Sequence, residues 1–152
     1  MTLHVLLGAL LAAAPIPAFA QTCTGTRTAT TVKLELEATG LHNGQGEVAF
    51  TVYNDDPKRF MASHGKLLRA RVPAVAPVTR ACFWLPPGHY ASTQYHDENG
   101  DRKFNRMLFT PKEGFGFSND APTSFGLPSL KDTLFTLPPS GATVRMAMRY
   151  KR

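Results

Sequence analysis

What this 152-residue sequence has little of already excludes several classes of protein. It contains one tryptophan, two cysteines and only 11 acidic residues against 17 basic ones. Beyond residue 20 it has no further long apolar run that would predict a transmembrane helix. No stretch beyond that point keeps the helical spacing of apolar residues for three turns, which argues against a helical bundle.

The motifs of several enzyme classes are also missing. Ser118 lies in Phe-Gly-Phe-Ser-Asn-Asp and not in the Gly-x-Ser-x-Gly sequence of a nucleophile elbow. The glycine-rich stretch 114–122 lacks the lysine of a phosphate-binding loop. No imidazole or thiolate spacing predicts zinc or iron. No recognition helix or aromatic RNA-binding motif accompanies the positive charge, so nucleic acid is not a predicted partner. We therefore expect a protein that is not an enzyme.

Residues 1–20 have the pattern of a cleavable export signal. An apolar run from Val5 to Ala14 is followed by a proline break and by Ala18-Phe19-Ala20, whose small residues suit signal peptidase. The run is too short to span a bilayer. The pattern predicts cleavage after Ala20 and a secreted or periplasmic chain that folds as one domain over residues 21–152.

Two cysteines, Cys23 and Cys82, remain after this cleavage. Because an exported chain meets an oxidising compartment, we expect them to form one disulfide. The alternative is a pair of unlinked cysteines that act as small apolar residues.

Apolar and polar residues alternate with a period of two in most of the remaining sequence. In 31–38, for example, Val32, Leu34 and Leu36 share one face, and charged residues take the other. Such alternation is typical of antiparallel strands that are wetted on one side. It predicts about seven strands in an immunoglobulin-like or transthyretin-like antiparallel sandwich. The predicted strands are 31–38, 47–53, 67–72, 78–85, 89–96, 132–137 and 143–150.

The segment 97–131 is the exception, because it is too long for an ordinary connection and lacks strand rhythm. It is nevertheless rich in phenylalanine, which disordered segments usually are not. We expect it to fold as one long ordered loop over the end of the sandwich and to bury several of its rings. Those rings are Phe104, Phe109, Phe115, Phe117 and Phe125.

Oxygen-bearing side chains recur at alternate positions where this segment begins. Asp97, Asn99, Asp101 and Asn105, with the backbone carbonyl of Lys103, occupy steps one, three, five, nine and seven of a calcium-binding loop. The twelfth step holds leucine, so a distant carboxylate would have to complete the set.

Glu113, the nearest carboxylate downstream, is the predicted sixth ligand of that site, and Glu98 and Asp120 are less favoured candidates. With few carboxylates and several basic neighbours, the site predicts a dissociation constant of about 10⁻⁴ to 10⁻³ M for calcium. The alternative is a polar turn in which the same side chains bond their own backbone.

Three ordered motifs between residues 85 and 137 resemble family 2141 of the bacterial domains of unknown function. They are Leu-Pro-Pro-Gly-x-Tyr at 85–90, His-Asp-x-Asn-x-Asx at 96–101 and Pro-x-Glu-Gly-x-Gly-Phe-Ser at 111–118. Asn105 stands where the family typically has Asp. The resemblance implies an exported β-sandwich and brings no activity with it.

Three functions remain open at this point. The first is a calcium-stabilised structural or interaction module of the cell envelope, whose positive charge would suit an anionic envelope polymer. The second is a carbohydrate- or peptide-binding module that uses the candidate binding residues Tyr90, His96, Phe115 and Phe117. The third and least favoured is a hydrolase with His96, Asp97 and Glu113. We expect His96 instead to bond and order the long loop.

Overall fold

The computed structural model describes residues 22–107 and 110–150 and shows two β-sheets packed face to face, as predicted. The predicted export signal lies outside the described residues. The only α-helix in the described ranges has four residues, and none of their helices is long and apolar enough to cross a membrane. The elements are β1 (Val32–Thr39), β2 (Glu47–Asn54), β3 (Leu68–Pro73), β4 (Val78–Leu85), β5 (Gly88–Asp97), β6 (Arg106–Met107), β7 (Thr110–Pro111), β8 (Phe115–Phe117), α1 (Leu130–Thr133), β9 (Phe135–Leu137) and β10 (Ala142–Ala147).

The smaller sheet has the strand order β10-β1-β4. β1 pairs antiparallel with β4 but parallel with β10. This parallel pair departs from the wholly antiparallel sandwich that the alternation predicts. Alternation reports which face of a strand is buried, and it does not report the direction of the neighbouring strand.

The larger sheet has the strand order β3-β2-β5-β8, and β9 also pairs with β5. β6 and β7 form a separate small hairpin. After β10 the chain crosses to the larger sheet, where Arg149 pairs with Phe115 of β8. The two sheets are therefore linked by backbone hydrogen bonds along one side.

The core lies between the sheets and is built from every second residue of each long strand. Leu34 and Leu36 of β1 face Phe50 and Val52 of β2, and all four are fully buried. Burial of each such side chain stabilises the fold by about 1.5–3 kcal/mol. The hydrophobic period that predicts the strands is therefore the period that fills the core.

The predicted disulfide between Cys23 and Cys82 is confirmed. It is reinforced by Thr24, whose N–H donates to the Cys82 carbonyl and whose own carbonyl accepts from the Trp84 N–H, both at 2.9 Å. The N-terminal segment thus extends the smaller sheet beside β4. Trp84 is half-buried and lies under the guanidinium of Arg27, 5.0 Å from its ring centre.

The predicted strand 132–137 begins too early. Asp132 and Thr133 belong to α1, and the strand starts only at Phe135. The cause is a capping box in which the Ser129 side chain accepts from the Asp132 N–H while the Asp132 carboxylate accepts from the Ser129 N–H. A Ser-x-x-Asp sequence is a helix-start signal that overrides strand propensity locally.

We call residues 98–129 the cap. The cap is not the continuous loop that its sequence predicts, because it contains the β6–β7 hairpin and β8. The alternation of apolar and polar residues does not predict β8, because glycine interrupts this strand. A Cβ at Gly116 would lie 2.4 Å from the Ala147 carbonyl oxygen, and one at Gly114 would lie 2.3 Å from the Tyr150 ring. Close packing against the C-terminal segment therefore requires glycine at both positions.

Only part of the predicted ring burial in the cap is found. Phe117 is buried, and Phe104 and Phe115 are half-buried. Phe125 is instead fully exposed, and Leu127 beside it is 68% exposed. Phe109 lies outside the described residues. Phenylalanine content indicates that a segment is ordered, but it does not indicate which rings are covered.

Candidate functional site

The end of β5 separates two polar clusters. His96 and Asp97 are consecutive strand residues, so their side chains point to opposite faces of the sheet. Both are fully buried. Asp97 joins a group of carboxylates on the cap side, whereas His96 joins Glu98, Tyr150 and the β1–β2 loop.

The first cluster contains three of the six predicted calcium ligands. Asp97, Asp101 and Glu113 each contribute a carboxylate oxygen, and these three oxygens lie within 4.8 Å of one another. Asp97 and Glu113 are buried, whereas Asp101 is exposed. The long-range partner inferred for the loop, Glu113, is therefore in place beside it.

The loop also makes the bonds of the alternative polar turn. Asp97 accepts hydrogen bonds from the backbone N–H groups of Asp101, at 3.1 Å, and Arg102, at 2.7 Å. Asp101 accepts one from the Lys103 N–H at 2.9 Å. Lys103 thus contacts the cluster through its N–H, whereas its carbonyl is the predicted ligand. These are the side chain–backbone bonds typical of Asx-rich turns.

The two asparagines complete the cluster. Asn105 donates from its side-chain amide to Asp101, at 2.9 Å, and to Glu113, at 3.2 Å, so this amide lies between the two carboxylates. Its backbone N–H also donates to Glu113 at 3.0 Å. Asn99 donates to the Asp101 carboxylate at 3.2 Å. All five side chains predicted to surround an ion are therefore neighbours.

The surroundings of Glu113 and Asp101 shift their pKa values in opposite directions. Burial raises the pKa of Glu113, and the nearby charges of Asp97 and Asp101 raise it further. Hydrogen bonds from the Asn105 amide and the Lys103 N–H lower the pKa of Asp101. The cationic side chain in contact with Asp97 is Arg71, which donates to it at 3.3 Å and to Glu47 at 2.7 Å.

The second cluster has no counterpart among the sequence predictions. His42 Nε2 lies 2.9 Å from Glu98 Oε1, and His96 Nδ1 lies 3.9 Å from the same oxygen. His96 also bonds the Tyr150 hydroxyl and the Gln45 carbonyl, each at 2.7 Å. Burial raises the pKa of Tyr150 to about 12, although a hydrogen bond from the His42 backbone opposes this.

These contacts change the expected role of His96. Its side chain bonds Tyr150 and the β1–β2 loop, and only its backbone N–H bonds the cap, by donating to the Gly114 carbonyl at 2.8 Å. The expected hydrogen bond from His96 to the long loop is therefore made by its backbone, whereas its imidazole bonds groups outside that loop. Sequence spacing could not reveal the cluster, because His42 and Glu98 are 56 positions apart.

A cleft of about 480 Å³ lies on the outer face of the larger sheet, between β2, β3, β5, β8 and the cap. Its rings include two edge-to-face pairs, Phe104 with Phe115 and Phe115 with Phe117, with centres 6.0 and 6.1 Å apart. Arg69 also lines it and donates to the Thr51 hydroxyl at 2.8 Å. Two of the predicted binding residues, Phe115 and Phe117, therefore share this cleft.

The other two predicted binding residues lie elsewhere. Tyr90 is buried in the core between the sheets, where its hydroxyl donates to the Pro86 carbonyl at 2.8 Å. His96 is enclosed in the second cluster and has no exposed surface. Of the four, only the phenylalanines of β8 lie on the outer face, and Phe115 is the more exposed of the two.

A family of bacterial proteins matches most of this chain. Residues 36–145, more than half of the chain, match the family described as "Uncharacterized protein conserved in bacteria (DUF2141)". The chain belongs to the DUF2141 family. The matched range includes both polar clusters except for Tyr150, and the resemblance predicted from the three motifs is confirmed. Searches of curated proteins and of solved structures return no match.

Proposed function

We propose that this DUF2141 protein is an exported, non-catalytic β-sandwich domain whose cap is held in place by calcium, and that it serves as an interaction or structural module of the cell envelope. The observation that carries the proposal is the convergence of the Asp97, Asp101 and Glu113 carboxylates within 4.8 Å. Calcium prefers hard oxygen ligands in such an arrangement.

Charge balance supports a cation at this cluster. Two of its three carboxylates are buried, and burial, followed by the charges of Asp97 and Asp101, raises the pKa of Glu113. Arg71 offsets part of that charge, but it is shared with Glu47. A divalent ion would offset the remainder while leaving the Asx-turn bonds of the backbone intact.

The amides supply further oxygen ligands. Asn105 lies between Asp101 and Glu113, so a half-turn of its amide would direct Oδ1 at the same point. Asn99 contacts Asp101 in the same way. The proposed ligand set is Asp97, Asn99, Asp101, the Lys103 carbonyl, Asn105 and Glu113.

Two other observations support export and the lack of catalysis. A disulfide links the N-terminal segment to β4, and such bonds persist in oxidising compartments. The residues of the hydrolase alternative are divided between two faces, since both ring nitrogens of His96 bond groups remote from Asp97 and Glu113. That division disfavours acid–base chemistry by the three together.

A calcium titration of thermal stability tests the proposal. At about ten times the dissociation constant, calcium should add about 1.4 kcal/mol to the free energy of unfolding, or about 5 °C in Tm. Asp97→Ala and Asp101→Asn should abolish the rise, whereas Asp55→Asn, a change of an exposed acid elsewhere, should preserve it. An unchanged Tm across the titration, or a full rise in Asp101→Asn, would refute the calcium site.

The aromatic cleft supports a second function, the binding of a peptide by the cap aromatics. Edge-to-face phenylalanines, Met61 and Leu127 offer an apolar lining, and the Arg69 guanidinium offers a cation for an acidic group. Most of the lining surface is apolar, which favours an apolar peptide side chain over a sugar. Anilinonaphthalenesulfonate, an anionic aromatic probe, should fluoresce on binding, and less so with Phe104→Ala or Arg69→Gln. Equal fluorescence in all three proteins would exclude this cleft.

A further inference from the structure

We propose that His42, His96 and Glu98 form a binding site for a divalent transition metal of the zinc class, separate from the carboxylate cluster. Each residue contributes one ligand atom, and the three atoms lie within 4.8 Å of one another. Two imidazoles and one carboxylate form a donor set that zinc sites use, with a further position left for another oxygen.

The bonding of His96 fixes which ring nitrogen faces the site. Its Nε2 lies 2.7 Å from the Gln45 carbonyl, which only accepts, so Nε2 must carry the hydrogen. In the neutral ring Nδ1 then holds the lone pair, and Nδ1 is the nitrogen nearest Glu98. Metal-ligating histidines typically donate their other N–H to a backbone carbonyl in this way.

The orientation of the Glu98 carboxylate is also fixed by a hydrogen bond on the side away from the histidines. Its Oε1 lies near both imidazoles, while its Oε2 accepts a hydrogen bond from the Asn43 side chain at 3.2 Å. The carboxylate therefore presents one oxygen to the histidines and keeps the other engaged. Such secondary contacts position a ligand before the ion arrives.

Gly46 allows the β1–β2 loop, which carries His42, to lie close to the end of β5. A Cβ on Gly46 would lie 1.9 Å from the Asp97 carbonyl oxygen, and its φ of +67° lies in the region that favours glycine. The β1–β2 loop can therefore press directly against the end of β5. This approach sets His42, from the loop, opposite His96 and Glu98.

Tyr150 supplies a further oxygen at the site. Its hydroxyl lies 2.7 Å from His96 Nδ1, and its ring stacks on His42 with centres 3.7 Å apart. Because Nδ1 carries the lone pair, the hydroxyl donates to it. An ion bound at Nδ1 would displace that hydrogen bond, and the neutral phenol oxygen would then lie beside the ion as a fourth donor. Calcium is a poor occupant, since it prefers oxygen ligands alone.

Isothermal titration calorimetry of Zn²⁺ into the metal-free protein tests the proposal. One ion should bind per chain, and His42→Ala and Glu98→Gln should each weaken the affinity by more than about tenfold. His42 is exposed, so its replacement should leave the fold intact, which a circular dichroism spectrum checks. Co²⁺ should show visible absorption that is strong in the unchanged protein and lost in His42→Ala.

Two controls separate this site from its alternatives. His89→Ala removes an exposed histidine at the opposite end of β5 and should leave Zn²⁺ affinity unchanged. Asp101→Asn alters only the carboxylate cluster and should also leave it unchanged. An equal loss in His89→Ala would reveal adventitious binding to surface histidines. A loss confined to Asp101→Asn would place the ion in the carboxylate cluster, and either result would overturn the proposal.

Discussion

The sandwich body and the cap are stabilised by different interactions. In the body, formed by β1–β5, β9 and β10, long strands bury an apolar core in which Phe50, Phe83 and Leu34 have no exposed surface. The cap has short strands, an exposed Phe125, and a loop held by bonds to carboxylates. The stability of the body should therefore follow apolar volume, and that of the cap should follow charge and cations.

The largest effect should come from removing a ring in the body. Phe83→Ala should lower the free energy of unfolding by about 3–5 kcal/mol, because it leaves a cavity in a region without exposure. Urea denaturation measures the change. Phe125→Ala in the cap is the matched control and should change stability by less than about 0.5 kcal/mol. Equal losses would contradict the division between the two regions.

The disulfide should contribute the next largest effect. Replacing Cys23 and Cys82 together by alanine should cost about 2–4 kcal/mol, because the bond closes a separation of 59 residues in the unfolded chain. Urea unfolding of the variant, compared with the unchanged protein under reducing conditions, measures this. Both samples should lose the same free energy of unfolding. If only the double variant or only the reduced protein lost stability, the absence of the disulfide would not explain the change.

A charged network on the outer face of β1 gives a smaller, pH-dependent effect. Glu37 accepts hydrogen bonds from Arg80 of β4, at 2.8 Å, and from Arg145 of β10, at 2.7 Å, and these bonds lower its pKa. The stabilisation is present above the ordinary carboxyl pKa of about 4.5 and is lost as pH falls through the lowered value.

Glu37→Gln should therefore destabilise the protein at neutral pH. The loss should be only about 1–2 kcal/mol, because the side chains of both arginines are at least half exposed to solvent. The difference from the unchanged protein should shrink on acidification, as urea unfolding at several pH values can measure. Glu35→Gln is the control, because its pair with Lys33 is exposed and should contribute less than about 0.5 kcal/mol. A pH-independent difference would argue against an ionic origin.

The smallest effect concerns local opening of the cap. At ten times its dissociation constant, calcium should slow hydrogen exchange about tenfold at the amides of Arg102, Lys103 and Asn105, which bond the carboxylates. Core amides of β1 that exchange only by global unfolding would gain the same protection. Those that exchange by local fluctuation of the body should not change. If calcium protected the locally exchanging β1 amides but not the cap amides, the cation would stabilise the body and not the cap.

Period-two alternation predicted the body well, because burial on one face of each strand is a local property of the sequence. Leu34 and Leu36 lie in the core as expected, and so does Met146 of β10. The parallel pairing of β1 with β10 could not be predicted, because it joins residues more than 100 positions apart, such as Leu34 and Ala142. Strand direction is set by the path of the whole chain.

The polar clusters illustrate the same limit. Asp97, Asp101 and Asn105 lie close together in sequence, so their convergence could be predicted from spacing, and Glu113 followed as the nearest carboxylate downstream. His42, His96 and Tyr150 meet only because the β1–β2 loop and the C-terminal segment cross the end of β5. Gly46, whose φ is positive and which lies against the Asp97 carbonyl, permits that crossing in the structure.

The parallel pairing of β1 with β10 has a consequence for the order in which the chain matures. β1 is the central strand of its sheet, yet one of its two partners, β10, is synthesised more than 100 residues after it. Contacts of such long range form slowly, so the smaller sheet cannot be completed until β10 has been synthesised. For the export proposed above, this slow pairing would keep the chain unfolded while it passes through a translocon.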